Sequence, residues 1–317
     1  MSLFRVSFIA IASASLGGCA WMLNLHPAKA VRMQGEVYPI AAGDRLKLTG
    51  FNGRIRVKPG APGEVRIERT ITCRARTEEE ARAGLEMVAP TVKQEASFLA
   101  IEFRPPLSTR HRFHMEISAT VPAETHLDLR GSNGSLDVEG IRGAIDARTG
   151  NGAVRARDGG ASAVYVHTSN GEIVLERMGG AVQAHTSNGR VVVRDCKGPV
   201  TAETSNGEVV VDSEPAATAG IEVRNSNGRI RCLLPASFSG EIDAHTSNGR
   251  VRCDFPVDSS RKEPKHRLHG RIGRGGTLVR LWTSNGSIEI LGCDRRLERG
   301  GKADAPPPAA GDEVWKL

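Results

Sequence analysis

The 317-residue chain has few aromatic side chains, with Phe, Trp and Tyr making up only 4% of its residues. A core without aromatic bulk must be filled by small and β-branched side chains, which favours thin, regular layers over a thick globular centre. Glycine, in contrast, is abundant, with 36 residues. The composition therefore favours an all-β chain with many tight turns.

Signatures of catalysis and of metal binding are missing. The sequence has no G-x-S-x-G nucleophile elbow, no P-loop and no H-E-x-x-H motif. Its six cysteines include no C-x-x-C pair, which argues against a zinc site. Calcium-binding repeats would need Asp in a Gly-rich nonapeptide, whereas the repeated turns here carry Asn. We therefore expect no enzyme, no metal and no cofactor.

The charge is basic, with a formal net charge of +7 and a pI near 9.3. Such a surface suits contact with anionic polymers or lipid headgroups, but it does not choose among them. Nucleic acid is not an expected partner, because basic segments here lack the aromatic platforms on which single-stranded bases stack.

The N-terminus has one early cation, Arg5, and an apolar run that ends in Leu-Gly-Gly-Cys at Cys19. This ending resembles the bacterial lipobox, in which the cysteine is lipidated and becomes the new N-terminus. We predict a lipoprotein signal peptide at 1–18, lipidation of Cys19 and a linker at 19–35. The protein would then be a membrane-anchored lipoprotein of the cell envelope, in the outer membrane or periplasm if the bacterium has two membranes.

Two other interpretations of the N-terminus remain open. Residues 28–30 form an A-x-A cleavage signal that would release a soluble periplasmic or secreted protein, and residues 6–25 form an uncharged stretch nearly long enough for an uncleaved anchor. All three interpretations place the protein outside the cytoplasm.

An Asn-Gly pair recurs along most of the chain, usually inside the phrase TSNG. Successive spacings are 18, 19, 18, 18, 21, 21 and 37 residues, with an outlying copy at Asn52. A period near 18 to 20 is typical of a repeat architecture. The pairs begin at Asn133, Asn151, Asn170, Asn188, Asn206, Asn227, Asn248 and Asn285.

Apolar residues alternate with polar ones on both sides of each Asn-Gly, the period-2 pattern of strands with one buried face. Each repeat is therefore two short strands joined at TSNG. Hairpins in a single sheet would leave one long apolar face uncovered. A parallel β-solenoid covers it, because the two strands of each coil lie in different sheets whose apolar faces meet.

The chain divides into regions by its fit to the repeat. Residues 36–124 read as an N-terminal cap of strands with one helix, in which Thr77 and Glu80 form a capping box. Residues 125–294 read as the solenoid, with an insertion at 254–276. The Pro-rich tail at 295–317 is expected to be disordered.

This arrangement resembles the bacterial putative-adhesin domain family of unknown function. The resemblance lies in the cap with its inserted helix, in the entry segment TVPAETHLDLRGSNGSLDVEGIRGAIDARTGNG, in the repeated TSNG and in the closing HGRIGRGGTLVRLWTSNGSIEI. It covers roughly residues 36 to 293. It implies a β-helix-like solenoid and brings no catalytic motif with it.

The strongest candidate binding site consists of four arginines that point outward from two successive repeats: Arg229, Arg231, Arg250 and Arg252. If these repeats are neighbours, they form a grid of guanidinium groups that repel one another unless an anion binds there. Arg271 and Arg274 of the insertion extend the patch. A solvated or internally paired basic face is the alternative.

Cys232 and Cys253 point inward and occupy the same position in these two repeats. If the two coils are neighbours, the two cysteines lie close enough to form a disulfide. Two separate buried thiols are the alternative.

Other outward columns have structural interpretations. His167 and His185 should lie side by side, as a polar ladder rather than a metal site because a third ligand is missing. Asp128 and Asp146 should share one face, where neighbouring arginines favour an ion-pair patch over a catalytic pair.

Taken together, these features lead us to expect a non-enzymatic envelope solenoid that binds an anionic glycan, a lipid headgroup or a protein through a basic face. The alternatives are a carbohydrate-active enzyme and a purely structural spacer.

Overall fold

A computed structural model describes residues 28–104, 111–214, 219–259 and 264–293. The predicted signal peptide at 1–18, Cys19 and the tail at 295–317 lie outside these residues. The described chain is all-β, with two 12-stranded sheets and a single helix. No helix in the described ranges is long and apolar enough to span a membrane.

The predicted solenoid is confirmed. Each repeat gives one strand to each sheet, and equivalent strands of neighbouring coils pair in parallel and in register, so that Asn151 lies beside Asn133 and Asn170. We call the sheet of strands before each turn sheet B and that of strands after it sheet A. Sheet B contains β8 (His126–Asn133), β10 (Ile145–Asn151), β12 (Val164–Asn170), β14 (Val182–Asn188), β16 (Val200–Asn206), β18 (Ile221–Asn227), β20 (Gly240–Asn248) and β23 (Thr277–Asn285). Sheet A contains β9 (Leu136–Glu139), β11 (Val154–Gly159), β13 (Ile173–Met178), β15 (Val191–Arg194), β17 (Val209–Asp212), β19 (Ile230–Pro235), β21 (Val251–Cys253) and β24 (Ile288–Cys293).

The core between the sheets consists of small and branched residues, as the composition predicts. Val166, Ala184 and Ala202 stack along sheet B and face Leu175, Val193 and others of sheet A, all of them buried. Short side chains allow the two sheets to pack closely at every coil.

The corner of each coil is held by two ladders of side-chain hydrogen bonds. The Asn188 amide donates to Asn170 Oδ1 at 2.8 Å, and this bond repeats from Asn133 onto Asn52 up to Asn248 onto Asn285. Behind it, Thr186 Oγ1 donates to the carbonyl of Gly171 in the coil below. The ladders bond the exposed turns of successive coils to one another, which explains why the TSNG phrase recurs.

The glycine after each Asn is required by close stacking. A Cβ at Gly189 would overlap the carbonyl oxygen of Gly171 in the coil below, and the same overlap recurs along the corner. Gly207 has in addition a φ of +147°, a conformation that side chains disfavour.

The N-terminal cap is built differently. Its β2 and β3 around Asn52 form a first coil that pairs in parallel with β8 and β9. Beyond this coil, β4 pairs antiparallel with both β1 and β7 in sheet A, and β5 pairs antiparallel with β6 in sheet B. The cap elements are β1 (Ala28–Pro39), β2 (Arg45–Thr49), β3 (Ile55–Pro59), β4 (Glu64–Ala75), α1 (Glu78–Glu86), β5 (Pro90–Glu95), β6 (Phe98–Phe103) and β7 (Arg112–Val121).

Two local expectations in the cap have different outcomes. Thr77 caps α1 by accepting a hydrogen bond from the Glu80 amide at 3.1 Å, which confirms the Thr77 half of the predicted capping box. The segment expected to be a linker up to residue 35 instead contains most of β1, which starts at Ala28 because its residues pair with β4 along their whole length. Cleavage after Ala30 would therefore remove the first three residues of a paired strand.

The order of the last coils departs from the order in the sequence. Strands β23 and β24 do not follow β20 and β21 but insert between them and the coil of β18 and β19. The insertion contributes β22 (Arg267–Ile272), which pairs antiparallel with β20 and closes the edge of sheet B. Strand β21 closes the edge of sheet A.

Candidate anion-binding edge

Charges on the outer face of sheet A alternate from coil to coil. The charged residues that point outward are basic on β3, β11, β15, β19 and β21 and acidic on β9, β13, β17 and β24. Neighbouring coils pair through this pattern: Arg190 contacts Glu208 at 3.2 Å, and Arg194 contacts Glu176 at 3.5 Å. Each basic coil inside the stack is thus flanked by acidic coils on both sides.

The predicted four-arginine grid does not form. Because β24 lies between β19 and β21, Glu289 separates Arg231 from Arg252, and its carboxylate is 3.5 Å from Arg231 Nε. Arg229 and Arg250 are likewise separated by the width of one strand. The two pairs are therefore about 10 Å apart rather than about 5 Å.

The same intercalation also relieves repulsion in sheet B. There Arg280 of β23 lies between Glu222 of β18 and Asp243 of β20, which would otherwise be direct neighbours. Inserting the last coil therefore replaces two like-charge contacts by opposite-charge contacts, one in each sheet. This gives a physical reason for the unexpected strand order.

A cluster of cations without acidic partners remains at the outer edge of the last coil. We define the closing-edge cluster as Arg250, Arg252, Lys265 and Arg267, whose side chains are all exposed. The Val251 amide donates to the Lys265 carbonyl at 2.9 Å, which holds the segment after the insertion against β21. None of the four cations forms an ion pair with an acid of the described ranges.

Other predicted members of the site lie near the cluster or apart from it. Arg271 is on β22 and contacts Asp258 at 3.5 Å, whereas Arg274 is exposed beyond the end of that strand. Arg229 and Arg231 belong to the previous basic coil. The closing-edge cluster thus joins half of the predicted grid to Lys265 and Arg267, which only the folded insertion brings beside it.

The predicted pairing of Cys232 and Cys253 is wrong. Ile290 lies between them in sheet A, so their Cα atoms are about 10 Å apart and beyond disulfide reach. Both residues are free thiols. Burial raises the pKa of Cys232 to about 12, so its thiol is protonated and unreactive at neutral pH.

His167 and His185 stack with ring centroids 5.0 Å apart and planes 6° from parallel. The Nδ1 atom of His185 is 3.2 Å from Glu203 Oε2 of the next coil. Burial, reinforced by the positive charges of His185 and Arg148, lowers the pKa of His167. In the described part of the chain, no three His, Cys, Asp or Glu side chains converge as a metal site would require.

Asp128 and Asp146 lie side by side, as predicted, on the outer face of sheet B. Arg130 contacts both carboxylates, at 2.7 Å and 3.1 Å, and Arg148 binds Asp146 through two further hydrogen bonds. Burial acts to raise the pKa of Asp146, but hydrogen bonds from Arg148 and Arg130 outweigh it and lower the pKa. The geometry is that of a compensated ion-pair patch.

Solved structures with a similar chain path come from several bacteria. A putative cell adhesion protein of Clostridium sporogenes has 12% identity and a TM-score of 0.31, and the match covers 82% of this chain and 100% of that one. Putative adhesins of Bacteroides fragilis and Parabacteroides distasonis have 11% and 9% identity and TM-scores of 0.44 and 0.35, and each match covers 82% of this chain and 97% of the other.

The family comparison covers most of the chain. No curated protein is recognisably similar to the chain. The sequence model of the Toastrack DUF4097 family, whose function is unknown, matches residues 51–291 and so spans the solenoid and the cap from β3 onward, leaving β1 and β2 outside the match. The resemblance seen in the sequence is confirmed, and the chain belongs to the Toastrack DUF4097 family.

Proposed function

We propose that this protein is a non-enzymatic, membrane-anchored β-solenoid of the bacterial cell envelope that binds an anionic polymer at its closing-edge cluster. The observation that carries this proposal is the absence of acidic partners for Arg250, Arg252, Lys265 and Arg267 within the described residues. Elsewhere on the solenoid faces, arginines of neighbouring coils are repeatedly paired with carboxylates.

The chemistry of the cluster favours ligands with carboxylate or phosphate groups. Guanidinium groups bind both in a bidentate manner, and the side chains of the three arginines here are exposed. An extended polymer with repeated negative charges can contact several of these side chains at once. We therefore favour an acidic envelope glycan over a small anion as the ligand.

The electrostatics of the Asp128 and Asp146 patch favour a binding role over a catalytic one. Glycoside hydrolysis needs a carboxylic acid whose pKa is raised, whereas the pKa of Asp146 is lowered by its arginine partners. The anchoring part of the proposal rests on the predicted lipobox at Cys19, whereas export is common to the lipobox, A-x-A and uncleaved-anchor interpretations.

The test is binding of the purified full chain to isolated envelope polysaccharide across a salt series. A fourfold variant, R250S/R252S/K265S/R267S, should lose binding, and the wild-type affinity should fall steeply with salt. The matched control, R155S/R190S/R194S/R231S, removes the same charge from paired coils and should retain most binding, because those arginines already have carboxylate partners.

Each other outcome contradicts the proposal. Equal losses in both variants would mean that only net charge matters. If both variants keep full binding to the polysaccharide, the cluster is not the binding site, and the spacer and protein-binding alternatives are favoured. Shortening of the polysaccharide during the assay would favour the enzyme alternative instead.

A further inference from the structure

The antiparallel part of the cap carries a second group of cations, on the outer face of sheet A. Lys29 of β1 pairs directly with Arg74 of β4, which pairs in turn with Arg112 of β7. All three side chains are exposed. We call these three residues the cationic row.

The row consists of three directly neighbouring cations, whereas each basic strand of the following coils in sheet A lies beside an acidic one. Direct cross-strand neighbours lie about 5 Å apart at Cβ, and like charges at that distance destabilise a sheet. No ion pair joins any of the three cations to an acid in the described part of the chain. An anionic surface placed against this face would relieve the repulsion.

Apolar side chains continue the same face along β1. Met33 is one of two large apolar side chains left exposed in the described ranges, with 54% of its surface accessible, and Val31 lies between it and Lys29. A shallow groove of about 580 Å³ lies on the same outer face, lined by Lys29, Arg74, Arg112 and parts of β4 and β7 that include one acid, Glu116. Cations beside exposed apolar residues are typical of surfaces that rest on the interface of a bilayer.

The position of the row fits that ligand. Lys29 is the second residue of β1 and follows Cys19 by ten residues, so it can lie at most about 36 Å from a lipid on that cysteine. The row also occupies the end of sheet A opposite to β21, about 50 Å from the closing-edge cluster. One end of the stack thus faces the anchor while the other projects from it.

We propose that the cationic row docks on the phosphate groups of anionic phospholipids in the membrane that anchors the chain. The negative surface attracts Lys29, Arg74 and Arg112, while Met33 and Val31 enter the headgroup layer. The bilayer then fixes the orientation of the solenoid. This inference uses different residues from the proposed function and shares with it only the membrane anchor.

Lysine footprinting on the full-length chain can test the docking. The protein is reconstituted into vesicles of phosphatidylcholine alone or of phosphatidylcholine with phosphatidylglycerol, and a membrane-impermeant amine reagent is applied. Modification of Lys29 should become on the order of tenfold slower in the anionic vesicles. Lys197 and Lys265, both exposed and far from the row, should react equally in both and serve as internal references.

Two variants distinguish docking through the cationic row from a general attraction of the basic protein to the membrane. R74Q/R112Q should abolish the protection of Lys29, whereas R190Q/R194Q, with the same charge change on the coils, should retain it. The proposal is wrong if Lys29 reacts equally in both vesicles, if R74Q/R112Q leaves protection intact, or if free inorganic phosphate protects Lys29 without anionic lipid. Acidic polysaccharide should instead slow modification of Lys265, so the two proposals can fail separately.

Discussion

The coils and the cap use the same two sheets but stabilise them in different ways. In the coils, equivalent strands lie side by side. The glycines, asparagines and threonines of the TSNG corner therefore bond to or pack against the corner residues of the coils above and below. In the antiparallel cap, β1, β4 and β7 are long strands without such columns. In sheet A the charge follows the same division: it alternates from coil to coil, and it is of one sign in the row of Lys29, Arg74 and Arg112.

This difference indicates which constraints are structural. Stacked coils bring equivalent residues close together, so any like pair is repeated and its cost is multiplied. Alternating charge and a last coil inserted out of order both avoid that cost. In the described ranges, the cationic row and the closing-edge cluster form no ion pairs, and they lie at the two ends of the stack. Our two proposals place an external anion at each of these positions.

The largest expected effect comes from the corner glycines. Gly189→Ala should destabilise the protein by about 3 kcal/mol or more, because its Cβ would overlap the Gly171 backbone, which the ladder holds in place. Gly35→Ala in β1 is the matched change in the cap, and nothing lies within 4 Å of its new Cβ. Urea unfolding of both variants measures the difference. Similar losses would show that the corner can relax.

Reversing the charge of Glu289, which lies between Arg231 and Arg252, should have the next largest effect on stability. Glu289→Arg places a third guanidinium between Arg231 and Arg252, and should destabilise the last coil by about 1–2 kcal/mol. Glu289→Gln should cost less, because it removes attraction without adding repulsion. Hydrogen exchange of β21 and β24 would locate the loss. Unchanged protection in Glu289→Arg would contradict our account of the strand order.

The sequence predicts the coils well because their determinants are local and repeated. The Asn-Gly columns define the two strands, the register and the corner ladders without any long-range information. It does not predict the order of the last coils, since spacing alone favours stacking in sequence order. The outward charges do indicate the observed order, because stacking in sequence order would place Arg231 beside Arg252 and Glu222 beside Asp243.

The cap and the true extent of the binding edge are harder to predict. Pairing of β1 with β4 and of β4 with β7 joins segments distant in the sequence, and a period-2 pattern does not specify which strands meet. For this reason the row of Lys29, Arg74 and Arg112 is invisible in the sequence. Lys265 likewise reaches β21 only through the folded insertion.

Charge reversal should act with opposite sign in the two regions. Arg190→Glu places a third acid between Glu172 and Glu208 and should destabilise the coils, whereas Arg74→Glu places an acid between Lys29 and Arg112 and should stabilise the cap. Each change should amount to about 0.2–1 kcal/mol at low salt and less at high salt. Thermal unfolding of the protein at two salt concentrations measures both. Shifts of the same sign would show that the row is already compensated.

The smallest effect concerns pH and arises from stacking equivalent histidines. The pKa of His167 is lowered by burial, by His185 and by Arg148, so the folded state binds this proton less readily than the unfolded state. The stability that this group contributes is therefore complete above about pH 6.5 and is lost as the pH falls through the lowered pKa. His167→Gln should flatten the fall in melting temperature between neutral and mildly acidic pH. In His185→Gln, an NMR titration should find the pKa of His167 closer to its ordinary value, because one of the two neighbouring positive charges is gone. A wild-type titration at the ordinary value would contradict the prediction, and with it the view that coil stacking, absent from the antiparallel cap, sets the electrostatics of this face.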